Sequence, residues 1–138
     1  MGAQITDPAR VRAFVCAGNA TFTLVSKKTG ARFTYRVRKT APEKPAFVSV
    51  LTGPDNTSDF EYLGVIFEDT GFRVTQRSRI RPDAPSALAF GWFWQHIDDA
   101  RLHERVEFWH TGRCGRCGRL LTVPESIETG LGPVCEAA

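Results

Sequence analysis

Thr21-Phe-Thr-Leu-Val-Ser-Lys-Lys-Thr-Gly-Ala-Arg-Phe-Thr-Tyr-Arg-Val-Arg38 is the stretch that decides the fold. Phe22 and Leu24 alternate with Thr21 and Thr23, and Phe33, Tyr35 and Val37 alternate with Arg32, Thr34, Arg36 and Arg38. A period of two places apolar side chains on one face of a strand and polar ones on the other. Ser26-Lys27-Lys28-Thr29-Gly30 between the two runs reads as a hairpin turn. Downstream, Ala46 to Leu51, Tyr62 to Phe67 and Phe72 to Thr75 read as further strands. The polar loop before Phe60 and the turn Glu68-Asp69-Thr70-Gly71 are short enough for antiparallel connections. An antiparallel β-meander of four to five strands is expected.

Helices flank the meander. Asp7-Pro8 supplies an N-cap and a first-turn proline, Gly18 a stop, and Val11, Phe14 and Val15 one apolar face, so a three-turn helix precedes it. Cys16, beside that face, reads as a buried free thiol. Asp83-Ala84-Pro85-Ser86 opens a second helix carrying Leu88, Ala89, Phe90, Trp92, Phe93, Trp94 and Ile97, an aromatic-rich wrap suited to covering one face of a sheet. The expected class is α+β, with residues 1–105 as the main domain and 106–138 as a C-terminal module. A chain of 138 residues is long enough to bury a core of its own. No apolar run approaches the roughly 18 to 20 residues of a membrane span, and Met1 to Pro8 lacks a secretory pattern, so no membrane association and a cytoplasmic location are expected.

The chemistry is concentrated in the tail. Cys114-Gly-Arg-Cys117 is a C-x2-C pair with permissive glycines, a spacing that aims two thiolates at one tetrahedral ion, and Cys135 follows after room for a hairpin and a short helix. Thr122-Val-Pro-Glu125 has the capping-box pattern that would start this helix, and Gly130 would stop it. The layout is that of a treble-clef or zinc-ribbon finger holding a structural zinc ion. A redox role fits less well, because the thioredoxin-like strand-to-helix setting is missing. His110, four residues before Cys114, is the expected fourth ligand, with Cys16, Glu136, water or a ligand from another molecule as alternatives. His96 and His103 read as helix-surface residues. No metalloprotease, deaminase, phosphate-loop, dinucleotide or nucleophile-elbow pattern is present, so no enzyme is expected.

The run Cys114-Gly-Arg-Cys117-Gly-Arg119-Leu-Leu-Thr122, then Pro124-Glu-Ser126-Ile, then Gly130-Leu-Gly132-Pro133-Val-Cys135 resembles a family of small, functionally uncharacterised zinc-finger domains of bacteriophage and bacterial proteins. The resemblance covers the last quarter of the chain. It implies zinc at Cys114, Cys117 and Cys135 and a phage or mobile-element origin, hence the cytoplasm of a host cell. It implies no activity.

Charge guides the functional expectation. Eighteen Lys and Arg against fifteen Asp and Glu give a formal net charge of +3, a weak signal by itself. The distribution says more. Arg32, Arg36 and Arg38 share one strand face, Arg113, Arg116 and Arg119 decorate the knuckle, and Arg77, Arg79 and Arg81 form a loop cluster. Nucleic-acid binding through backbone contacts is therefore the leading expectation. No aromatics interleave with the basic strand residues, so base stacking is not expected. The alternative is an inhibitor that binds a host protein, such as an anti-CRISPR or other anti-defence protein. Its candidate surfaces are the acidic loop from Asp55 to Glu61 and the Trp92 to Trp94 cluster.

Overall fold

In a computed structural model of the chain, residues 3–41, 43–55, 58–68, 70–121 and 124–132 are described, with the side chains of Pro124 and Glu125 left aside. Their backbone builds a seven-stranded antiparallel sheet with helices packed on one face. The strands are β1 (Ala3–Gln4), β2 (Asn19–Ser26), β3 (Arg32–Arg38), β4 (Ala46–Leu51), β5 (Phe60–Phe67), β6 (Gly71–Arg73) and β7 (Val106–His110). The helices are α1 (Pro8–Val15), α2 (Pro85–Gln95) and α3 (Pro124–Thr129), with a single 3-10 turn at Leu102–Glu104.

β2 to β6 form the expected meander in sequence order. Two features were not foreseen. A short strand, β1, lies at one edge, and β7 inserts between β1 and β2. The strand with which the C-terminal module begins is thus hydrogen-bonded into the main sheet. It belongs there because Val106, Phe108 and His110 continue the buried alternation, and β7 meets β2 in register from Phe22↔His110 to Ser26↔Val106.

Alternation fixes what the sheet buries. Phe22, Leu24, Tyr35, Val37, Val48, Val50 and Phe108 turn to the helices, where they meet Phe14 of α1 and Phe90 and Phe93 of α2. The rings interlock edge-on and stacked, with Phe22 and Phe108 4.8 Å apart and Phe72 and Phe90 4.7 Å apart. The Tyr35 hydroxyl donates to the Ser86 carbonyl at 2.7 Å and so pins the start of α2 to β3. Each buried ring contributes on the order of 1.5–3 kcal/mol.

α1 starts as expected. The Asp7 carboxylate accepts from the Ala9 N–H and Pro8 occupies the first turn. Cys16 departs from expectation. It follows the last helical turn, where the chain leaves the apolar face, and is exposed rather than buried. Leu88, expected in the wrap of α2, is 60% exposed, because eleven residues present more apolar faces than one sheet can cover. Among the described residues no helix is long and apolar enough to cross a membrane.

Candidate functional site: an uncovered sheet face joined to a cysteine knuckle

The second face of the sheet is not packed by α1 or α2, and its rows follow from the register. One row runs Asn19↔Arg38↔Phe47↔Val65↔Arg73 across β2 to β6. The next runs Thr21↔Arg36↔Ser49↔Tyr62. Beyond it lie Trp109↔Thr23↔Thr34 and Leu51↔Phe60, and at the end Glu107↔Val25↔Arg32. Four arginines, Arg32, Arg36, Arg38 and Arg73, thus share this face. Glu107 is the acid that the register adds to them among the described strand residues, and it accepts from the Trp109 indole N–H at 2.9 Å.

Sequence reasoning placed Arg32, Arg36 and Arg38 on one face, and the structure brings them together as expected. It missed Arg73 and the aromatics. Phe47 is 45% exposed in the row between Arg38 and Arg73, and Trp109 is 36% exposed at the other side of the sheet. Phe47 lies 6.4 Å from Tyr62, centroid to centroid, and the Arg36 guanidinium sits 4.3 Å above the Phe60 ring. The expectation of a basic face without aromatics is corrected here. The rings come from β4, β5 and β7, and the alternation of β3 alone could not show which neighbours its arginines would meet. Burial, and next the charge of Arg38, lower the Arg36 pKa.

The knuckle abuts one end of this face. The Asn19 N–H donates to the Gly115 carbonyl at 2.7 Å, and the Asn19 side chain lies beside Gly118 and accepts from Arg38 Nε at 3.3 Å. Arg113 donates to the Gly118 carbonyl at 3.1 Å, while Arg116 and Arg119 are exposed on the same loop. Arg77 and Arg79 are exposed on the loop after β6. That loop is tied to Tyr62 through Thr75 (2.7 Å, hydroxyl to hydroxyl) and through Ser78, whose hydroxyl donates to the Tyr62 carbonyl at 3.2 Å.

Within the knuckle Cys114 is buried and Cys117 exposed. Burial would push the Cys114 thiol up. The N–H groups of Gly132, Cys117 and Arg116, together with the Cys117 thiol, outweigh this and bring it down to about 7. A sulfur surrounded by donors is prepared as a thiolate, the form that binds metal. Cys135 lies outside the described residues, as do Glu136 and Thr122 of the expected capping box. Among the described residues no three His, Cys, Asp or Glu side chains gather at one point.

His110, expected as the fourth ligand, is buried and engaged on both sides of its ring. The Gly112 N–H donates to Nδ1 at 2.9 Å, which leaves the proton on Nε2, and Nε2 donates to the Ile127 carbonyl of α3. As placed, neither nitrogen offers a lone pair to a metal ion. His110 bolts α3 to the sheet instead, beside an ion pair between Arg10 of α1 and Glu128 of α3.

The other candidates lie apart. His96 stacks on Trp92 at 4.4 Å and pairs with its carbonyl, and His103 is exposed. Cys16 lines a cleft of about 610 Å³ with Lys39, Lys44 and Trp94. In the acidic loop the Asp59 carboxylate accepts from the Asp55 N–H and the Asp55 carboxylate from the Ser58 N–H, so both acids brace their own turn. Trp92 and Trp94 are half-buried against the core.

Fold and site together define a mixed α/β protein whose antiparallel sheet has, among the described residues, one face that the helices leave uncovered, joined to a paired-cysteine knuckle. Residues 106–138 are similar to a family of unknown function, DUF6011, whose model they match. No curated protein and no solved structure matches the chain.

Proposed function

We propose that the protein is a non-enzymatic nucleic-acid-binding protein that grips the phosphate backbone with the uncovered sheet face and the adjoining finger. The observation that carries this reading is the charge imbalance on that face, Arg32, Arg36, Arg38 and Arg73 against Glu107. The Arg38–Asn19–Gly118 contact makes the face continuous with Arg113, and Arg116 and Arg119 follow on the same loop. Such a track neutralises successive phosphates and releases their counterions.

In this reading Cys114, Cys117 and Cys135 hold a structural zinc ion, which clamps the knuckle and takes no part in chemistry. The donor set fits. Two cysteines stand in one turn with N–H groups aimed at the Cys114 sulfur, and a Cβ on Gly132 would stand 4.0 Å from that sulfur, three residues before Cys135. With His110 engaged by Gly112 and Ile127, the fourth position falls to Glu136, water or another molecule.

The test is binding of random-sequence DNA and RNA between about 50 and 200 mM salt, where several phosphate contacts give a steep loss of affinity. The triple reversal Arg32→Glu, Arg36→Glu and Arg38→Glu is expected to abolish binding while leaving the fold intact, since all three side chains leave the core side free. Absence of salt-sensitive binding by the parent protein would overturn the reading.

A further inference from the structure

Arginines alone would suit a duplex as well as a single strand, but the same face carries rings that a duplex has no use for. Phe47 is the most telling. It is a large apolar side chain, 45% exposed, on a central strand, where threonine or lysine would serve a merely solvated surface. Arg38 flanks it directly on β3, and Arg73 lies in the same cross-strand row on β6. Tyr62 is its neighbour at 6.4 Å, Phe60 lies beneath the Arg36 guanidinium, and Trp109 stands toward the far side of the face on β7, next to Gln4 of β1. Adjacent strands are spaced by roughly 4.8 Å, so the backbone of Arg38 lies about 5 Å and that of Arg73 about 10 Å from that of Phe47, separations that the long arginine stems can bridge toward phosphates on either side of one base.

The rings are also held for contact from above. The Tyr62 hydroxyl is fixed by Thr75 and the Trp109 indole N–H by Glu107, so neither ring needs to turn its polar atom toward a partner. Of these rings Phe47 and Trp109 are the exposed ones, and Tyr62 packs beside Phe47. The π-faces accept any unstacked base, and the arginines between them meet the phosphates that join those bases.

We infer that the uncovered sheet face is a platform for single-stranded nucleic acid, with a base stacked on Phe47 and its flanking phosphates met by Arg38 and Arg73. This rests on the nucleic-acid reading of the same face and narrows it to one class of ligand. Bases inside a duplex are already stacked on each other and cannot lie on Phe47, which is why the platform selects the single strand.

The experiment measures binding of the full chain to a single-stranded oligonucleotide, as RNA and as DNA, and to the duplex of the same sequence, at matched salt. The expected result is tighter binding of the single strand, with RNA and DNA compared to see which backbone is favoured. Phe47→Leu keeps the apolar bulk and removes the ring. It is expected to weaken single-strand binding roughly 5- to 140-fold, the factor that about 1–3 kcal/mol per stacked base gives, with an unchanged salt slope and melting temperature. Phe47→Trp, which enlarges the π-face, is expected to retain or tighten it. Equal binding of strand and duplex with Phe47→Leu at parental affinity would overturn the inference and leave the charge-based reading standing, provided the arginine reversals abolish binding. No salt-sensitive binding to any of the probes would overturn both.

Discussion

Replacing His110 by leucine separates a structural bolt from a metal ligand. The substitution fills much of the same space but removes both hydrogen-bonding nitrogens. It strands the buried Gly112 N–H and the part-buried Ile127 carbonyl. An unsatisfied buried group costs about 1–3 kcal/mol, and the more accessible carbonyl belongs at the low end, so the sum is roughly 2–4 kcal/mol. That is a large share of the roughly 5–15 kcal/mol that stabilises a domain. Urea unfolding followed by tryptophan fluorescence would show it as a midpoint lowered by about 1–2 M, given an m-value of about 2 kcal/mol/M for a small protein. Zinc content, measured on the same sample, is expected to stay at the parental level. A variant within about 0.5 kcal/mol of the parent that has lost its zinc would refute the reasoning and return His110 to the metal.

The same histidine predicts a pH dependence. Burial lowers its pKa below 6.5 and the Ile127 carbonyl only partly opposes this, so its contribution is complete above pH 6.5 and is lost as pH falls through the folded-state value. The difference in unfolding free energy between parent and His110→Leu should therefore shrink as pH falls below about 6.5, and a constant difference would count against it. Gly130 and Gly30 provide a matched pair, with φ of +76° and +75°. Alanine at Gly30 meets nothing within 4 Å and should cost about 1–2 kcal/mol, whereas a Cβ at Gly130 overlaps the Phe14 ring and should cost about 2–5. Equal losses in chemical denaturation would remove the packing argument. On the proposed reading, Cys114→Ser or Cys117→Ser should release zinc and open the tail, since a structural zinc site contributes about 10 kcal/mol or more to folding. Parental protein carrying less than about half an equivalent of zinc would sink the metal assignment.

The local parts of the fold were legible because local signals agreed. Asp7, Pro8 and Gly18 bracket α1, and the alternation from Thr21 to Arg38 gives a hairpin that the structure forms as β2 and β3. β1 was invisible because two residues carry no period, and nothing local could mark β7 as the neighbour of β2. The site shows the same division. Alternation put Arg32, Arg36 and Arg38 on one side, but only pairing across strands could add Phe47, Tyr62, Trp109 and Arg73. His110 misled for a related reason. Its distance from Cys114 along the chain suited a ligand, while its position in β7 makes it the next inward residue after Phe108 and points it toward α3.

The knuckle and the sheet face form one construction, and Phe14 explains how. Its ring, fully buried, touches Phe22, Phe108 and His110, while a Cβ on Gly115 would come within 2.8 Å of it and one on Gly130 would overlap it. Both backbone segments of the knuckle therefore close on a side chain of the main core, and Gly115 donates to the Gly130 carbonyl at 2.8 Å to hold them together. Asn19 then carries this order to the outside, with its N–H on Gly115 and its side chain on Arg38. A knuckle that opens releases Asn19, and with it the partner that fixes Arg38 on the sheet face. On the proposed reading, the metal clamp sets the geometry of a surface it never touches, and the glycines at 115 and 130 are required there because the core ring leaves no room for a side chain.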